Sequence, residues 1–154
     1  MESPFVFNKP VAVADAIPRI NEVNAITERL TKNKHVLVYE PPKSGKNSLM
    51  QQVFNKLKQD RYSFKVCTVD LFNVRSEADL LKAIRTSLVE CFAKNDSEKE
   101  KLEDELMISY IHEMNEYRDL VLNLSEALAS KFNTNIIIYF AEFQEILNFE
   151  NPDK

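Results

Sequence analysis

The chain has 154 residues, 44% of them apolar and 29% charged, and a formal net charge of −4. That make-up suits an ordinary globular protein, long enough to bury a core as one domain over residues 1–154. The acidic balance argues against a broad nucleic-acid footprint, no apolar run reaches membrane-spanning length, and two cysteines are too few for a disulfide framework.

Residues 1–17 read as an extended lead-in punctuated by Pro4 and Pro10. An acid near the start and the lack of a long apolar stretch do not fit a signal peptide. With Cys67 in an apolar strand and Cys91 on an apolar helix face, the thiols read as free and reduced, which points to the cytoplasm. Pro18 suits a first helical turn, and Ile20, Val23, Ile26 and Leu30 fall on one face, so a helix is expected over 18–32. Val36 to Tyr39 is short and continuously apolar, the pattern of a strand covered on both faces. Two prolines and the turn Lys43-Ser44-Gly45-Lys46 follow, and then Leu49, Met50, Val53, Phe54 and Leu57 mark a second helix.

Phe64 to Val69 is a second expected strand, closing on Asp70. Ser76 with Asp79 three residues on resembles a capping box, opening a helix that carries Leu80, Leu81, Ile84, Leu88 and Phe92 inward. The acidic run from Asp96 to Glu105 reads as a solvated helix face. The helical pattern then continues to about Lys131, with a weak point at Asn115 to Tyr117. Ile136 to Phe140 is the third and most hydrophobic strand, followed by a short helix or turn. His35 and His112 have no second ligand at metal spacing and read as ordinary histidines.

Three apolar strands alternating with helices predict an α/β fold with parallel strands. Ligands of such sheets gather at the carboxyl ends of the strands. The loop 40–48, Asp70 and the Ala141-Glu142 pair would meet there, with Asp70 either facing the pocket or capping its own loop. Strand, short loop and helix around Gly45-Lys46, the chain's single glycine and the lysine after it, form the skeleton of a P-loop. In such a loop, backbone N–H groups and the helix dipole hold phosphate oxygens, and the lysine reaches the β- and γ-phosphates. The candidate nucleotide-binding residues are Lys43, Ser44, Gly45, Lys46, Asn47 and Ser48. Against the pattern G-x-x-x-x-G-K-[ST], Glu40 replaces the first glycine and Asn47 the hydroxyl that normally holds Mg²⁺. Ser48 carries a hydroxyl, but one place on it points about 100° round the helix.

The segments PFVFNKPV, PRINEV, LVYEPPKSGKNSLMQQVF, TVDLFNVRSEADLLKAI and IIIYFAEFQEIL together resemble the bacterial and archaeal AAA+/STAND-type P-loop ATPase family. The resemblance implies a three-layer P-loop NTPase-like core with a mainly parallel sheet, truncated after the Walker B strand. It places Arg19 on the adenine side of the pocket, Lys46 on the phosphates and Glu142 as the catalytic glutamate. Family members carry glycine at the positions of Asn8, Pro18 and Glu40, Ser or Thr at Asn47, and Asp at Ala141. Those losses remove the usual protein support for Mg²⁺, so ATP or ADP would bind with weak or lost hydrolysis. The other reading is a pseudo-ATPase scaffold that binds no nucleotide and contacts another protein. Because the family's ATPases continue beyond this point, the expectation is a fragment, or a core that closes on three strands or borrows a partner's strand. An exposed apolar strand edge would favour self-association.

Overall fold

The computed structural model describes residues 18–41, 44–106 and 114–148. Contacts divide the chain into two compact units, Met1–Ser63 and Phe64–Lys154, and each is described by itself. The expected lead-in over 1–17, Asn8, Lys43 and His112 lie outside the described residues.

The first unit contains helices α1 (Ile20–Thr31) and α2 (Lys46–Gln59), packed on each other. α1 buries Val23, Ile26 and Thr27, and α2 buries Leu49, Met50, Val53 and Leu57, the three-and-four spacing of one helical face. The expected strand over Val36–Tyr39 does not form. Residues 34–40 join no ladder; Leu37 is 73% and Tyr39 94% exposed, while Val36 and Val38 are half-buried. A strand is stable only when a neighbour takes up its N–H and C=O groups. The described part of this unit holds no strand to do so.

The second unit has β1 (Phe64–Asp70), α3 (Glu77–Phe92), α4 (Asp96–Glu105), α5 (Met114–Phe132) and β2 (Asn135–Ala141), then a 3₁₀ helix over Phe143–Asn148. β1 and β2 pair in parallel from Phe64↔Asn135 to Asp70↔Ala141. One face of this pair, Cys67 and Val69 with the partly buried Ile138 and Phe140, packs into a core with Leu81, Ile84 and Leu88 of α3 and Val121, Leu124 and Leu128 of α5. The Ser76 Oγ accepts from the Asp79 N–H at 3.2 Å, and the Asp79 carboxylate accepts from the Arg75 N–H and the Ser76 hydroxyl. The capping box is therefore formed, with its return bond moved one residue outward. α4 buries only Leu102 and exposes its acids except Glu103, which is half-buried 3.9 Å from Arg85. Asn115 to Tyr117 do not break a helix; they belong to the first turn of α5.

Two strands among the described residues do not make the expected three-layer P-loop NTPase-like core with a mainly parallel sheet, and that fold class is overturned. Parallel pairing survives, but the strand that should lead into the loop is missing from the ladder.

The scarcity of glycine shapes the helix ends. α1, α2 and α5 each close with crossed bonds to the last turn, such as Tyr62 N–H to Leu57 O at 3.0 Å and Arg61 N–H to Lys58 O at 3.1 Å. These are Schellman motifs, whose left-handed residue is usually glycine. Here Asn33, Arg61 and Asn133 fill it, at φ 54°, 57° and 47°. Asparagine tolerates that conformation and arginine pays for it with a Cβ clash. Arg61→Gly is therefore expected to raise the unfolding free energy by about 0.5–1 kcal/mol in a denaturant titration. A loss of stability would contradict the strain assigned to Arg61.

Candidate functional site

Glu40 is the hub of the first unit's polar cluster. Its carboxylate accepts from Arg19 Nη1 at 3.0 Å, again from Arg19 Nη2, and from Ser44 Oγ at 2.7 Å. Its backbone carbonyl accepts from Lys46 Nζ at 3.0 Å, and Lys46 also reaches the Pro41 carbonyl at 3.4 Å. Arg19 is in turn held from three sides. Its Nε and Nη2 donate to Glu22 at 2.8 and 2.5 Å, and its N–H donates to Gln52 Oε1 of α2 at 3.3 Å.

Local sequence accounts for much of this. Arg19 is the N-cap of α1, where a cation opposes the helix dipole, and Glu22 in the first turn offsets it. Gly45 is the N-cap of α2 at φ 90°, a backbone state that side chains rarely adopt, and no side chain caps that helix start. This bend at Gly45 precedes Lys46, which bonds back to the carbonyls before the loop. Asn47 is exposed and Ser48 half-buried, both in the first turn of α2.

The side chains of Glu40 and Arg19 are 16% and 23% exposed, so their mutual attraction is only partly screened by water. Hydrogen bonds from Arg19 and then Ser44 hold the Glu40 carboxyl down at about 2, against the opposing effect of burial. The same contacts, Glu22 first and then Glu40, push the Arg19 guanidinium up. Chemically the cluster sets the donors of Arg19 and Ser44 on the Glu40 carboxylate and that of Lys46 on the Glu40 backbone carbonyl. Arg19, Ser44 and Lys46 converge on one residue, and that residue supplies a carboxylate of its own.

The second unit gathers the remaining candidates at the carboxyl ends of its strands. Asp70 lies opposite Ala141 in register, and Leu71 N–H donates to the Ala141 carbonyl at 3.2 Å. The Asp70 carboxylate accepts from Phe72 N–H at 3.0 Å, so it caps its own loop. Glu142 is exposed at φ 53°, accepts from the Gln144 side-chain amide, and opens the 3₁₀ helix by accepting from Glu145 N–H at 2.9 Å. Arg19, Glu40, Ser44 and Lys46 form one group, and Asp70, Ala141 and Glu142 another in the other unit. No group of three or more His, Cys, Asp or Glu with metal-binding geometry occurs among the described residues.

Sequence reasoning missed Glu22 and Gln52 as holders of Arg19. The available signal was an acid three residues after the arginine, at helical spacing. No protein-family model, no curated protein and no solved structure matches the chain.

The depressed Glu40 carboxyl fixes a pH dependence. A group whose folded pKa lies below its unfolded value stabilises the fold above the unfolded pKa, near 4.3, and that stability drains away as pH falls towards 2. Glu40→Gln is expected to cost about 1–2 kcal/mol at pH 7 and to flatten the acid limb between pH 4.5 and 2. Urea titrations at pH 7, 4 and 2.5 check it; an unchanged acid limb would contradict the pairing.

Proposed function

We propose that this chain is a non-hydrolysing scaffold that contacts another protein and leaves its loop without nucleotide. The observation that carries the reading is the occupation of Arg19, Ser44 and Lys46 by Glu40. A polyphosphate would have to displace a carboxylate from two of these groups and then sit beside it, which Coulomb repulsion opposes. Ala141 and Asn47 offer no carboxylate or hydroxyl for Mg²⁺ at the positions where ATPases of this pattern use them. Contact with a protein is supported by large apolar side chains left in solvent. Leu37 and Tyr39 lie in the unpaired segment of the first unit, and Phe72, Phe143 and Leu147 follow the carboxyl ends of β1 and β2. Among the described residues no helix is long and apolar enough to cross a membrane, and both cysteines are free. A reducing cytoplasmic setting is part of the proposal.

A nucleotide-binding reading has one observation in its favour. Gly45 keeps the left-handed bend before a 14-residue helix whose first residue is lysine, which is what an anion cradle needs. Calorimetry separates the two. The scaffold predicts no heat from ATP or ADP, with or without Mg²⁺, up to about millimolar concentration. It further predicts that Glu40→Gly, by removing the carboxylate from Arg19 and Ser44, gains measurable affinity for ATP or tripolyphosphate. Binding by the unaltered protein that Lys46→Ala weakens would overturn the scaffold reading in favour of an ATP-binding domain.

A further inference from the structure

β1 and β2 are each other's only strand neighbours among the described residues, so each has a second edge. In a parallel ladder alternate residues aim both backbone groups at the neighbour, and the residues between aim both away. Leu71 N–H bonds the Ala141 carbonyl, so Ile137, Tyr139 and Ala141 face β1. Ile136, Ile138 and Phe140 therefore turn their N–H and C=O groups outward.

The two outer edges are treated differently. On β1, the outward carbonyls of Val66 and Thr68 accept from Cys91 Sγ at 3.5 Å and Ser87 Oγ at 2.8 Å. Ser87 and Cys91 are one turn apart on α3, about 6 Å along its axis, which matches a two-residue step along a strand. On β2, the outward backbone groups of Ile136, Ile138 and Phe140 have no partner among the described residues. Asn135–Ala141 also lacks the lysine, proline or bulge with which natural edges discourage pairing.

We propose that the outer edge of β2 pairs antiparallel with the same edge of a second copy of this chain, about a twofold axis at Ile138. The segment is its own complement in that register. Ile136 faces Phe140, Ile138 faces Ile138, and Phe140 faces Ile136, three pairs that each exchange two N–H···O bonds. Ile136 opposite Phe140 on one face of the sheet, and Ile137 opposite Tyr139 on the other, are the aromatic with β-branched combinations that stabilise neighbouring strands. Charge is compatible at the ends too. Glu142 of one copy comes opposite Thr134 of the other, so no acid meets an acid. A partner strand of other sequence would meet the same bonds without this matched pattern. The proposal does not depend on whether the loop of the first unit binds nucleotide.

Sedimentation of the 154-residue chain over a concentration series should show the mass doubling. Ile137→Lys with Tyr139→Lys sets lysine against lysine at both 137–139 pairs and should return the protein to monomer. Thermal melting of that variant checks that it still folds. Register is read without disturbing the edge. Asn135 and Ala141 face each other across the axis at a non-hydrogen-bonded site, about 4.5 Å between Cα atoms, a span a disulfide can bridge. Asn135→Cys and Ala141→Cys chains, mixed and oxidised in air, should give a covalent dimer, and neither variant alone should do so. A monomer at every concentration, or cross-linking within the separately oxidised variants, would overturn the proposal.

Discussion

The contact between Glu40 and Arg19 ties together the parts of the first unit that matter most. It joins the N-terminus of α1 to the segment before the loop, and Arg19 also reaches Gln52 on α2 through its backbone. Ser44 and Lys46 then close on the same residue from the far side of the loop. Guanidinium, hydroxyl and ammonium donors are groups that also bind phosphate oxygens. A carboxylate inside the chain competes at very high effective concentration with any phosphate arriving from solution, because its ordering is already part of folding. The left-handed bend at Gly45 is thus accompanied by donors satisfied from within the chain.

The second unit is governed by a different constraint. A parallel pair of strands needs cover, and α3 supplies it both by apolar packing and by hydroxyl and thiol donors to the outward carbonyls of β1. β2 receives apolar packing, and no such donors to its outward carbonyls occur among the described residues. Lys65, lying 4.4 Å from the centroid of the Phe92 ring and bonded to the Cys91 carbonyl at 2.9 Å, fastens the C-terminal end of α3 to the start of β1. Buried Cys67 sits in that same region, and burial together with the neighbouring Cys91 thiol pushes its pKa up, so it behaves as a small apolar side chain.

Much of this was legible in the residues, for reasons that can be named. The apolar spacing of Val23 and Ile26, and of Val53 and Leu57, fixes two helices, and Ser76 with Asp79 marks the start of a third. The strands ending at Asp70 and Ala141 were readable because both are apolar and flanked by helices. Val36 to Tyr39 looks the same in sequence, yet stays unpaired, since being a strand depends on a neighbour that local composition cannot report. Glu40 was recognisable as an anomaly in the loop pattern. Its meaning was not, because the partner that neutralises it lies 21 residues earlier and only folding brings the two together.

The most direct test of the internal-anion account is the carboxyl titration of Glu40, followed by carbon NMR of the labelled side chain in the folded protein. The account predicts a midpoint at about 2, with the Arg19 guanidinium signals shifting over the same pH range. A midpoint near the ordinary value of about 4.3, indifferent to replacement of Arg19, would contradict it.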